Sequence, residues 1–160
     1  MSDRFPGEIS IGGTIRRRLL DKLADVIASE GVSIDWQYAL DQSAIHDAIV
    51  KAAAGGETVR FTDDEALGGQ FEELENWLTA HGIDFDRHSD ARFEYDGENA
   101  YGRGRKRPVV MSSDQSGNDM VSAAEVCKIL VGWSQPDRKL DLIAKLIAAP
   151  PALTPIVLTD

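Results

Sequence analysis

Cysteine is almost absent: Cys127 is the only one in 160 residues. A single thiol cannot close an intramolecular disulfide or build a thiolate metal cluster, so disulfide-stapled scaffolds and zinc fingers are excluded and a reducing compartment is expected. Long apolar runs are also missing. No stretch reaches the roughly 18 residues of a membrane span, and the start Met1-Ser2-Asp3-Arg4 lacks the charged-then-apolar pattern of a secretory signal. The expectation is a cytoplasmic protein with no membrane contact. Histidine is scarce, at three, and the chain has no Gly-x-Ser-x-Gly elbow, His-Glu-x-x-His pair or Gly-x-x-x-x-Gly-Lys-Ser/Thr phosphate loop. These gaps speak against the common nucleophilic, zinc-protease and nucleotide-hydrolysing machineries. What is present is a 42% apolar composition, enough for a chain of this length to bury roughly 68–70% of its unfolded surface. One domain is expected over 1–150, with 151–160 as a C-terminal tail or edge strand.

Basic charge is in deficit, 17 Lys and Arg against 27 Asp and Glu, for a net charge of −10. The deficit is local. Glu57 to Glu98 holds thirteen acidic residues against Arg60, Arg87 and Arg92, so this stretch alone accounts for the whole net charge. A basic run, Arg103, Arg105, Lys106 and Arg107, follows among glycines. Segregated signs point to an electrostatic partner more than an interspersed surface does.

Hydrophobic spacing orders the chain. Glu8 to Ile11 alternates as a strand and ends at Gly12-Gly13, after which Thr14 is placed to cap a helix through Ile15, Leu19, Leu23, Val26 and Ile27. Val32 to Trp36 reads as a strand. A helix from Asp41 or Ser43 presents Ile45, Ala48, Ile49 and Ala52 on one face, and Thr58 to Phe61 reads as a third strand. Phe71, Leu74, Trp77 and Leu78 form the stripe of a further helix closed by His81-Gly82. Ile83–His88 and Arg92–Asp96 alternate as a hairpin. Gly97–Arg107 reads as a mobile loop, and Pro108–Met111 as a strand. Ser122 and Glu125 match a capping box for a helix with Val126, Cys127, Leu130 and Val131 inward. Pro136 opens a last helix with Leu140, Ile143, Ala144 and Ile147 inward, stopped by Pro150-Pro151. The order predicts an α+β or α/β fold with a single mixed β-sheet flanked by four to five helices.

The hairpin carries the most chemistry. Alternation predicts Asp84, Asp86, His88, Glu94, Asp96 and Glu98 on one outer face, with Ile83, Phe85, Phe93 and Tyr95 packed inward. Like charges facing one another across strands repel, and a basic partner would relieve them. Two strands give about one charge per 3.4 Å, against about one per 1.7 Å in duplex DNA. With Glu72, Glu73 and Glu75 of the preceding helix and Asp90 of the turn, this surface is the candidate partner-binding site. The alternative is a small metal-dependent enzyme using Asp84-x-Asp86-x-His88 as oxygen and nitrogen ligands. That motif lacks a closed ligand set, so no metal, cofactor or catalytic residue is assigned. Cys127 reads as a small core residue.

Phe71-Glu72-Glu73-Leu74-Glu75 and Gly82 to Asp96, about 25 residues with a fainter match at Ile9–Gly13, resemble small uncharacterised proteins of bacterial plasmids and phages. The resemblance implies an accessory protein of a mobile genetic element and carries over no functional residues. Small acidic proteins of such elements commonly act by stoichiometric binding, as anti-CRISPR and anti-restriction inhibitors do. The expectation is a non-enzymatic acidic interaction protein that docks a basic nucleic-acid-binding surface of a host protein, without contacting nucleic acid itself. The oligomeric state is left open.

Overall fold

Strand β1, Arg4–Gly12, is the axis on which the rest is assembled. In the computed structural model, which describes residues 4–36, 38–90, 96–148 and 150–160, β1 pairs antiparallel with β3 (Val59–Leu67) on one side and β4 (Asp84–Ser89) on the other. Beyond β4 lie β5 (Gly97–Gly102) and β6 (Val109–Ser113), also antiparallel, giving the order β3-β1-β4-β5-β6. A separate parallel pair joins β2 (Thr14–Arg16) to β7 (Val157–Thr159). The fold is α+β, and the described residues form five α-helices: α1 (Leu20–Ser29), α2 (Gln42–Gly55), α3 (Glu72–His81), α4 (Ala123–Val131) and α5 (Pro136–Ile147). Among the described residues no helix is long and apolar enough to cross a membrane.

Register decides which side of the sheet is dry. Ile9 lies opposite Phe61 and Arg87, and Ile11 opposite Val59 and Phe85, so period-two alternation puts these side chains on one face. Helices α1, α2 and α3 cover that face with Leu23, Ala24, Ile27, Ile45, Ile49, Leu74 and Leu78, all buried. Each large aliphatic or phenyl group removed from water contributes about 1.5–3 kcal/mol. Helix α2 starts where Asp41 accepts a hydrogen bond from the Ala44 amide at 2.8 Å, and Gly56 ends it at φ 66°.

Several boundaries differ from those expected. Thr14 does not cap a helix: Thr14–Arg16 forms β2, Ile15 is buried in it, and α1 begins after a 3-10 turn at Arg17–Leu19. The late-arriving β7 strand supplies the competing partner. Val32–Trp36 makes only a Ser33–Thr62 bridge, because Trp36 sits at φ 57°, outside extended geometry. The second hairpin strand is Gly97–Gly102, within the segment expected to be a mobile loop. Its small residues serve packing, since Gly102 lies opposite Phe85 and a Cβ there would collide with the Phe85 ring. Residues 91–95, including the expected strand residues Phe93, Glu94 and Tyr95, lie outside the described residues.

The largest departure is in α4 and α5. Ser122 is the N-cap of α4 but its side chain makes no capping bond, and neither helix contributes a buried residue. Cys127, expected in the core, is exposed. The two amphipathic helices pack mainly on each other, so the apolar stripe read as inward has no sheet beneath it.

Candidate functional site: an acidic groove at the start of helix α3

Helix α3 starts at Phe71, which has no side-chain group to cap it. Two amides at its start are satisfied by side chains. Glu30, at the end of α1, accepts from the Leu74 amide at 3.0 Å, and Glu75 reaches back to the Phe71 amide at 3.1 Å. The carboxylates of the first turn, Glu72, Glu73 and Glu75, also meet the positive end of the helix dipole. The end of β3 lies alongside and contributes Asp63 and Glu65.

These elements enclose a groove of about 810 Å³ lined by Glu30, Asp63, Glu65, Glu72 and Glu73, with Arg4 as the basic lining residue. Arg4 donates to the Glu65 carbonyl at 2.8 Å. Burial raises the pKa of Glu30 above the usual carboxylate range; the bond from the Leu74 amide opposes this, and the charges of Glu73, Glu75 and Asp63 add to it. The groove therefore holds one carboxylate, Glu30, whose charge is disfavoured by burial first and by its acidic neighbours second, and a cation placed there lowers that cost. Glu72 and Glu73 were legible as candidates. Glu30, Asp63 and Glu65 were not, because their convergence depends on α1, β3 and α3 meeting in space.

The hairpin carboxylates do not form one outer face. Register sets Glu98 opposite Ser89, on the helix-covered side with Arg87. Arg87, 3% exposed, has Nε 2.9 Å from Glu75 Oε1 and Nη2 2.5 Å from Glu98 Oε1. A buried guanidinium needs carboxylates around it, and this one draws Glu75 and Glu98 inward. Burial nevertheless outweighs the attraction of Arg87 and leaves the Glu75 pKa raised.

Asp84 and Asp86 lie on the opposite, open face, each with an internal partner. Asp84 accepts from the Gly104 amide at 2.7 Å, and Asp86 pairs with Arg103 Nη2 at 2.7 Å. Arg103, the first residue of the basic run, also donates to the carbonyls of Phe85 and Pro151. His88 lies between Asn99 at 2.6 Å and Asp90 at 3.2 Å. Asn99 donates to Asp119 at 2.7 Å, and Tyr101 donates to the same carboxylate at 2.9 Å. Burial, with the bond to and charge of Asp119, pushes the Tyr101 pKa up to about 12, so its phenol stays protonated. Asp84, Asp86 and His88 thus engage four different partners and share none. Among the described residues no three His, Cys, Asp or Glu side chains are arranged to hold a metal ion. Asp96 is exposed beyond the strand, and Glu94 lies outside the described residues.

No family model, curated protein or solved structure matches the chain. The functional reading rests on the residues themselves.

Proposed function

We propose that the protein is a non-enzymatic acidic interaction protein whose groove at the start of α3 docks a Lys/Arg-rich surface of a partner protein. The observation that carries the reading is the convergence of Glu30, Asp63, Glu65, Glu72 and Glu73 on one concavity, with Glu30 already disfavoured as a charge. An incoming ammonium or guanidinium compensates the acidic charge gathered there and gains charge-assisted hydrogen bonds. The partner class is a host protein with a basic nucleic-acid-binding surface, which the acidic protein would occupy and block.

The test is binding of a fluorescent arginine-rich peptide by the wild type and by two triple variants of equal net charge. One carries Glu65→Lys, Glu72→Lys and Glu73→Lys in the groove; the other carries Asp21→Lys, Asp25→Lys and Asp47→Lys, exposed positions on α1 and α2. The groove variant should bind at least ~10-fold more weakly than the control, about 1.4 kcal/mol. Wild-type affinity should fall with added salt. Equal loss in both variants would mean that only net charge matters and would reject the groove. Capture from bacterial lysate with the same three proteins then identifies the partner.

A further inference from the structure

We propose that α4 and α5 form a self-association face, on which a second copy of this chain docks its own α4 and α5 as a two-fold four-helix bundle. The inference stands apart from the acidic groove and rests on three observations.

The first is incompleteness. Helices α4 and α5 have 9 and 12 residues and leave Val126, Ile129, Ile143 and Leu146 only half-buried, with no residue fully buried, whereas isolated helices shorter than about 12–15 residues are marginal in water. Amphipathic helices of this length owe their stability to what covers the apolar face, and here each covers the other only in part. Trp133 is fully exposed, Val131 is 82% exposed and Leu140 66%, and Leu130 and Ile147 are also exposed; Leu140 and Ile147, seven residues apart, share one side of α5.

The second is area. Fully buried, Trp133 contributes about 150–250 Å² and each aliphatic chain about 60–120 Å². Weighted by present exposure, the five offer about 450 Å² of apolar surface, close to what an interface of about 800 Å² per partner and about 65% apolar contains.

The third is charge. From Ser122 to Ala148 the chain carries Glu125, Asp137 and Asp141 against Lys128, Arg138, Lys139 and Lys145, a net +1, in a molecule of net −10. Two copies repel across their acidic surfaces but meet without that penalty here. An isologous pairing also sets a surface against itself, which an apolar, charge-balanced face tolerates. Pairing two helical hairpins completes the four-helix arrangement in which a- and d-type positions are buried.

The test is sedimentation equilibrium of the full chain over a wide concentration range, with amide hydrogen exchange on the same samples. The wild type should reach twice the 17.5 kDa chain mass. Exchange at residues 123–147 should slow as concentration rises, while amides of β1 and β4 stay protected throughout. Leu130→Glu combined with Leu140→Glu replaces exposed side chains, so it should return the protein to the monomer mass with β1 and β4 still protected. A wild type that stays monomeric, a dimer that survives both substitutions, or α4–α5 protection independent of concentration would each overturn the proposal. So would a monomer on which a different protein occupies the face. Because the exchange readout uses the wild type, the proposal stays testable even if the variant folds poorly.

Discussion

The side of the sheet under α1, α2 and α3 and the α4–α5 hairpin use the same apolar alphabet with opposite results. Leu23, Ile27, Ile49, Leu74 and Leu78 are buried, whereas Leu130, Leu140 and Ile147 remain in water. Helical spacing is good in both regions. The difference is that α1–α3 have a sheet face to cover, with Ile9, Ile11, Phe61 and Phe85 projecting from it, and α4–α5 have only each other. An amphipathic stripe therefore states that a helix needs a partner and does not say which one.

The largest effects that would break this contrast come from the sheet interior. Phe85→Ala should cost about 3–5 kcal/mol through lost transfer energy and the cavity left behind. Leu140→Ala, measured in dilute solution, should stay within about 0.5 kcal/mol as a surface change. Urea unfolding midpoints compare them directly, and a comparable loss for Leu140→Ala would show that α5 packs on the core.

Arg87 shows that a burial pattern alone does not separate apolar from charged positions. Arg87→Ala leaves the Glu75 and Glu98 carboxylates facing each other without their cation and should cost about 3–5 kcal/mol. Arg87→Met, combined with Glu75→Gln and Glu98→Gln, should recover much of that loss. Failure of the triple variant to recover stability would indicate that the arginine stem, rather than its charge, fills the site.

Helix ends sharpen the comparison at smaller scale. Asp41→Ala removes an observed capping bond and should cost about 1 kcal/mol, whereas Ser122→Ala removes none and should stay within about 0.5 kcal/mol. Thermal unfolding of the two variants decides it.

The smallest effect is in pH. The Glu30 and Glu75 pKa values are raised above their usual 4.5, so the native state binds these protons more tightly than the unfolded chain. Their penalty is full above the raised native pKa values. It fades as pH falls through them toward 4.5. Stability should therefore gain from these two groups on mild acidification, and Glu30→Gln should remove part of that gain. Urea midpoints across this window read the difference; identical slopes for wild type and variant would place Glu30 in ordinary solvent.

Much of the architecture was legible. Asp41, Gly56, Gly82 and Pro136 mark helix ends by local chemistry, and the buried sets of α2 and α3 follow from spacing. The groove was legible in part. Glu72 and Glu73 belong to an acidic cluster visible in the chain, but Glu30 lies 42 residues before Glu72, just after a helix whose own pattern gives no reason to single it out. Strand register was illegible too. Asp86 and Glu98 both read as outward, yet pairing Ser89 with Glu98 sends them to opposite faces, since one residue of slip reverses every side chain.

The sequence by itself determined that helices and strands are combined, the acidic character of residues 57–98, and which residues seek burial, because these follow from covalent geometry and side-chain chemistry acting over a few residues. Only the tertiary structure decided which carboxylates converge, that Arg87 is enclosed by two of them, that β2 waits for a strand more than 140 residues later, and that α4 and α5 are left uncovered. Each of these depends on contacts between distant segments, whose free energy is set by what reaches the same place in space.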